Sequence, residues 1–415
     1  MKEGKSFEIS QQQVLEAYKR VKANQGAAGI DGVTFTDFEK DLANNLYKLW
    51  NRMSSGTYFP KPVKGVEIPK KNGKKRLLGV PTIADRTAQM VVRMNFEPLV
   101  EPIFHEDSYG YRPYKSAIDA VGVTRKRCWD MPWVVEFDIV GLFDNIDHDL
   151  MMQAVRSHTD SKWLILYIER FLKADMVMPD GTVKKRTAGT PQGGVISPVL
   201  ANLYLHNAFD RWMVTQNPTN PWARYADDAV IHCRTRAEAE QLLERLKKRM
   251  AGCKLELHPE KTRIVYCRSD KNTERHEHER FDFLGYTFQM RRVKSQNGKC
   301  FNGFTPAVSK RNAKEFRDKM REMRVQGILL TPEEMAEKIN PVIRGWANYF
   351  TQFYPSEARR KALDYVNLML VYWARRKYKR LRRSRKAAFK WVGQLAKREP
   401  NLFYQWGLGY RPATG

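Results

Sequence analysis

The sequence predicts an α+β fold in several domains, and three observations along the chain carry that expectation. From about residue 10 to about 290 short β-like runs alternate with helical stretches, from about 305 to 375 the pattern is helical, and a dense run of cations follows. A mixed segment succeeded by a helical one reads as an α+β body with a separate helical region. The corresponding boundaries are 1–60 for an N-terminal extension, 61–295 for the mixed body, 296–374 for the helical region and 375–415 for a basic terminus.

Within the mixed body, Asn72-Gly73 lies between two extended arms, which is the strongest short signal for a two-residue hairpin. Its tip gathers Lys70, Lys71, Lys74, Lys75 and Arg76. Further on, Trp133-Val134-Val135-Glu136-Phe137-Asp138-Ile139 is rich in β-branched and aromatic residues and delivers Asp138 near its end. In Ala223-Arg224-Tyr225-Ala226-Asp227-Asp228-Ala229-Val230-Ile231 two adjacent aspartates interrupt two short apolar arms, the pattern of a hairpin with acids at its tip. In the helical region, Thr331-Pro332-Glu333-Glu334 combines an N-cap, a proline at the first helical position and a capping-box glutamate, so a helix starts there. Leu363, Val366, Leu370 and Trp373 recur at helical spacing and form a core-facing stripe.

A chain of 415 residues with 42% hydrophobic and 12% aromatic residues buries proper cores. Its net charge of +27 exceeds what solubility requires and fits a partner with a dense row of phosphates. No apolar run approaches the roughly 20 residues of a transmembrane helix, and Met1 to Ser6 lead into no signal-peptide region, which places the chain in the cytoplasm with no membrane partner. Cys128, Cys233, Cys253, Cys267 and Cys300 are odd in number and far apart, so buried reduced thiols are expected rather than disulfides or a zinc site. Between Arg375 and Lys386 nine cations surround Tyr378, a mixture suited to phosphate and base contact.

Adjacent carboxylates in a half-buried turn repel one another and lose solvation, so they persist most easily beside a divalent cation. Mg2+ is the natural candidate, and two such ions about 3.5 to 4 Å apart can activate a 3′-hydroxyl and stabilise departing pyrophosphate. The hairpin pair and one strand aspartate supply suitable oxygens.

The Tyr225-Ala226-Asp227-Asp228 tetrapeptide follows Phe137-Asp138-Ile139-Val140-Gly141-Leu142-Phe143-Asp144 and Gly189-Thr190-Pro191-Gln192-Gly193-Gly194-Val195-Ile196-Ser197-Pro198. Upstream stand Gly29-Ile30-Asp31-Gly32, Ile68 to Arg76 and Ser108-Tyr109-Gly110-Tyr111-Arg112-Pro113. Downstream come His258-Pro259-Glu260-Lys261-Thr262, Phe281 to Tyr286 and Gly345-Trp346-Ala347-Asn348-Tyr349-Phe350. In this order the segments resemble the reverse transcriptases of bacterial group II introns over almost the whole chain.

The resemblance implies a right-hand polymerase, with fingers and a palm built on antiparallel sheet, an α-helical maturase thumb behind them and a small basic DNA-binding region at the end. It implies catalysis by Asp138, Asp227 and Asp228, with two Mg2+ ions held by these and by the main chain of Ile139. It also implies that Lys70 and Arg76 grip the incoming triphosphate, and that Gln192 lies beside the nucleotide or templating base. Phe143, five residues after Asp138, would exclude a 2′-hydroxyl. Lys261 would neutralise or protonate pyrophosphate, and Arg112 would touch template or nucleotide in preference to forming a structural ion pair. Arg375, Arg376, Lys377, Lys379, Arg380, Arg382 and Arg383 would bind nucleic acid.

The implied partners are group II intron RNA, an RNA template with a DNA primer, target DNA and deoxynucleoside triphosphates, in a bacterial, nucleoid-associated setting. No histidine or cysteine follows Cys300, so no endonuclease domain is expected in this chain. A polymerase recruited to DNA repair or defence, and a purely RNA-binding maturase, share parts of the pattern. The intact aspartates disfavour the second.

Overall fold

The computed structural model describes residues 6–69, 75–295 and 297–412. Near the N-terminus, helices Gln11–Ala23 and Leu42–Ser54 pack with the long helix Ile83–Val100. The first carries a full capping box between Ser10 and Gln13, and the Trp50 indole donates to the Ile9 carbonyl at 2.7 Å.

Strands β1 (Val63–Pro69) and β2 (Lys75–Val80) form an antiparallel hairpin. Their register sets Ile68 opposite Arg76 and Pro69 opposite Lys75, leaving residues 70–74 for the connection. The tip itself, with Lys70, Lys71 and Lys74, lies outside the described residues.

After β3 (Trp133–Asp138), the short strands β4 (Met176–Val177) and β5 (Val183–Lys184) join the hairpin in a sheet of order β2-β1-β4-β5. Strands β6 (Trp222–Tyr225), β7 (Asp228–Cys233) and β8 (Arg263–Tyr266) complete a second sheet of order β6-β7-β3-β8. A third comprises β9 (Arg280–Phe283), β10 (Tyr286–Lys294) and β11 (Cys300–Val308), ordered β11-β10-β9.

The chain divides into two compact units. One holds Met1–Ser116, Phe137–Ala229 and Glu240–Arg263; the other holds Ala117–Glu136, Val230–Ala239 and Ile264–Gly415.

In the second unit the helix at Pro332–Phe350 starts on Thr331 with the expected capping box to Glu334. Leu363, Val366, Leu370 and Trp373 are all fully buried, in one hydrophobic cluster that runs from Phe316 to Trp406. Because Leu381, Ala388, Val392, Leu395 and Phe403 belong to that cluster, residue 375 marks no packing boundary. What looks like a separate basic terminus is three further helical segments, Lys379–Leu381, Arg385–Arg398 and Tyr404–Gly407, closing the same core. Cys128, Cys233 and Cys267 are buried, as expected, but Cys253 is only half-buried and Cys300 is exposed.

Candidate active site

The expected site residues that the structure describes in the nucleotide region, Arg76, Arg112, Asp138, Ile139, Phe143, Gln192, Asp227, Asp228 and Lys261, all belong to the first unit. Asp138 ends β3, and its main chain is pinned to the segment at 256–258: the His258 amide donates to the Asp138 carbonyl and the Val140 amide to the Glu256 carbonyl, both at 2.8 Å. Ile139 sits between them, buried and bridged to Leu257.

Between β6 and β7, Ala226 and Asp227 make a two-residue loop. Only Ala226 of the two has a positive φ, +57°, uncommon on a non-glycine residue. Asp227 and Asp228 leave this turn half-buried.

The turn is fixed from below by Arg224, a residue that the motif reading passes over. Its guanidinium is 1% exposed and every donor is used. Nε and one terminal nitrogen hold Asp210 in a fork at 2.8 and 2.7 Å, the same nitrogen reaches Ser108 Oγ at 2.8 Å, and the other reaches Asn202 Oδ1 at 3.2 Å and the Ala226 carbonyl at 3.1 Å. Gly110 lies flat against the turn, where an added Cβ would stand 2.4 Å from the Ala226 nitrogen. The Asn202 amide holds the Gly110 carbonyl at 2.7 Å.

The carboxylates of the site act on one another. Burial pushes the Asp227 carboxyl above its ordinary range, the charge of Asp138 adds to that, and Arg76 and Lys261 work against it. The Lys261 ammonium pairs directly with Asp138. Lysine is thus the counter-ion in this structure, and the oxygen-only donors around it suit Mg2+. Among the described residues no group of three or more His, Cys, Asp or Glu side chains is gathered to hold a metal ion. The Asp138 carboxylate faces Lys261 in this arrangement, so a metal would have to displace the ammonium to bind there.

Arg76 on β2 donates to Gln192 Oε1 at 2.5 Å, and Gln192 Nε2 donates to Asp144 at 3.3 Å. This links the cationic hairpin to the residue after Phe143. The Gln192 loop is held to the same strand, since the Gly79 amide donates to the Gln192 carbonyl at 2.9 Å, and Gly193, at φ +129°, lies where a Cβ would stand 2.4 Å from the Gly79 oxygen. Phe143 is buried with its ring edge-on to Tyr111, 6.4 Å between centroids.

Arg112 departs from its expected role. Its side chain donates to Glu101 at 2.8 Å and to the carbonyls of His105 and Ser108 at 2.5 and 2.8 Å, and the guanidinium lies over Phe104. These internal partners favour the structural ion pair that sequence reasoning ranked second.

A model of the reverse transcriptase (RNA-dependent DNA polymerase) family matches residues 68–288, more than half of the chain. The chain belongs to the reverse transcriptase family. A group II intron, maturase-specific domain matches residues 313–391 of this reverse transcriptase. Protein YkfC of Escherichia coli (strain K12) is 33% identical over 318 residues, which is 67% of this chain and 81% of that protein. Group II intron-encoded protein LtrA of Lactococcus lactis subsp. cremoris is 38% identical over 193 residues, 46% of this chain but only 32% of the relative. The Putative COX1/OXI3 intron 1 protein of Saccharomyces cerevisiae is 30% identical over 200 residues, 48% of this chain and 24% of that protein. The α+β right-hand polymerase expected from the sequence is the fold of this family. Among the described residues no helix is long and apolar enough to cross a membrane.

The maturase match of this reverse transcriptase covers the whole cationic run, and there the structure divides the cations by role. Lys377 donates to the carbonyls of Leu329 and Leu330 at 2.9 and 2.6 Å, and Arg375 to the Arg382 carbonyl at 3.0 Å. Both serve the fold. Tyr378, expected to face nucleic acid, instead packs against Trp391 with centroids 4.9 Å apart. Arg376, Lys379, Arg380, Arg382 and Arg383 are exposed.

Replacing these five by glutamine is expected to flatten the salt dependence of RNA binding, by about 0.7 in the log-log slope for each phosphate no longer neutralised. Arg375→Gln or Lys377→Gln should lower thermal stability instead. Filter binding from low to high salt measures the slope, and an unchanged slope in the fivefold variant would make the exposed five a merely solvated face.

Proposed function

We propose that this reverse transcriptase copies RNA into DNA at the Asp138–Asp227 site, and that its maturase-specific domain binds group II intron RNA, assists splicing and supports retrohoming into target DNA. The observation that carries the polymerase reading is the meeting of two carboxylates, Asp138 and Asp227, with three expected substrate groups, Arg76, Gln192 and Lys261, within one compact unit.

Asp138, Asp227, Asp228 and the Ile139 carbonyl would hold Mg2+, two ions in the full form of the reading. When bound, the metal supplies activation of the primer 3′-hydroxyl and charge stabilisation at the phosphates. Arg76 and the hairpin lysines hold the triphosphate, and Arg76 keeps Gln192 in place beside the nucleotide. Phe143 blocks a 2′-hydroxyl by bulk. Lys261, already drawn to the site by Asp138, turns to the charge that develops on pyrophosphate.

The test is extension of a DNA primer on an RNA template by the purified full chain with deoxynucleoside triphosphates and Mg2+. DNA product that disappears with EDTA is expected, and absence of product with Mg2+ or Mn2+ would overturn the polymerase reading. The maturase reading is checked separately, by self-splicing assays of the RNA that flanks the coding sequence, with and without protein. A coding sequence with no structured intron around it would remove the splicing role and leave the copying one.

A further inference from the structure

Tyr111 stands in a conformation that side chains rarely adopt, with φ at +59°. Left-handed backbone on a bulky residue persists only where its surroundings over-determine it, and it concentrates at functional sites. Both neighbours here are anchored. Gly110 is pressed against the aspartate turn and its carbonyl is held by Asn202, while Arg112 is tied to Glu101, His105 and Ser108. The chain can only present Tyr111 outward from this clamp.

The residue is 47% exposed, so core packing does not account for its backbone. It meets Phe143 edge-on, at 78° and 6.4 Å, and lies 6.4 Å from the Tyr225 ring that leads into the turn. Phe143 has its main chain fixed, because its carbonyl accepts from the Thr190 amide at 2.7 Å.

We propose that Tyr111 is a positioning residue for sugar discrimination: its ring props Phe143 in place, so that the two rings form one composite gate against ribonucleotides. The inference rests on the reading of Phe143 as the gate and adds to it the residue that sets the gate's position. A pair of rings packed edge to face keeps its geometry through the aromatic contact and does not need the tyrosine hydroxyl.

The test compares kcat/KM for a deoxynucleotide and its matching ribonucleotide in single-nucleotide incorporation by the full chain. Tyr111→Gly suits the positive φ and removes the ring. It is expected to raise relative ribonucleotide use by about tenfold or more, chiefly through a lower KM, the scale of loosening a pocket by a few carbon atoms. Tyr111→Phe should stay close to the parent. Tyr111→Asn, which also tolerates this backbone, repeats the measurement if the glycine variant is inactive.

Phe143→Ala run alongside separates the two ideas. Relaxed selectivity in Phe143→Ala with parental selectivity in Tyr111→Gly or Tyr111→Asn would overturn the brace and leave the gate standing. Parental selectivity in Phe143→Ala would overturn the gate and the brace together. Tyr111→Phe relaxing as far as the ring-less variants would assign the effect to the hydroxyl and overturn the ring contact.

Discussion

Asp227→Ala and Asp228→Ala are each expected to reduce RNA-templated primer extension by about a thousandfold or more, while the proteins keep their fold. That magnitude corresponds to about 4 kcal/mol of transition-state stabilisation, the several kcal/mol that an ion-binding carboxylate governs. Loss of fold is not expected, because Asp227 is a burden on the folded state: burial and the charge of Asp138 both raise its carboxyl above the usual range. Removing it relieves that tension and should leave stability level or slightly higher. Asp227→Asn keeps the shape and hydrogen bonding of the turn and should be as inactive as the alanine form, which places the effect on charge. Single-turnover extension with saturating primer–template measures the rate, and thermal melting of the same preparations measures the fold. Undiminished synthesis by both alanine variants would remove the catalytic assignment.

The aspartate turn was legible because acids break a β pattern that is otherwise aromatic and apolar, and the sequence places them between strands of matching character. The helix at Thr331 was legible for a similar reason, since its cap, proline and glutamate are local and their partners lie within four residues. Features that depend on distant partners were not. Arg112 and Lys377 read as available cations among 73 lysines and arginines, yet each donates to carbonyls inside the fold, the second to residues nearly fifty positions away. Charge counts alone cannot separate a cation that meets phosphate from one that caps a helix. Tyr111 and Arg224 both fell inside segments singled out for their neighbours, and only their geometry gives them work of their own.

Asp210→Ala is expected to destabilise the first unit by about 3–5 kcal/mol, since it leaves a buried guanidinium without its counter-charge. Arg224 and Asp210 are 1% and 0% exposed, so water cannot replace the missing carboxylate. Arg224→Lys should fare little better, because a single ammonium cannot span Asp210, Ser108, Asn202 and the Ala226 carbonyl from one point. The double variant Arg224→Met with Asp210→Leu separates stability from positioning. Replacing a buried pair by apolar residues of similar size is often neutral or better for stability, so denaturant midpoints should return towards the parent. Polymerase activity should not return, because no donor then reaches the Ala226 carbonyl and the turn that carries Asp227 loses its tether from below. A misplacement of about 1 Å at such a site costs on the order of a hundredfold in rate. An Asp210→Ala protein that unfolds at the parental midpoint would show that the fork is not holding the unit together. A double variant with full activity would show that the turn keeps its shape without the tether.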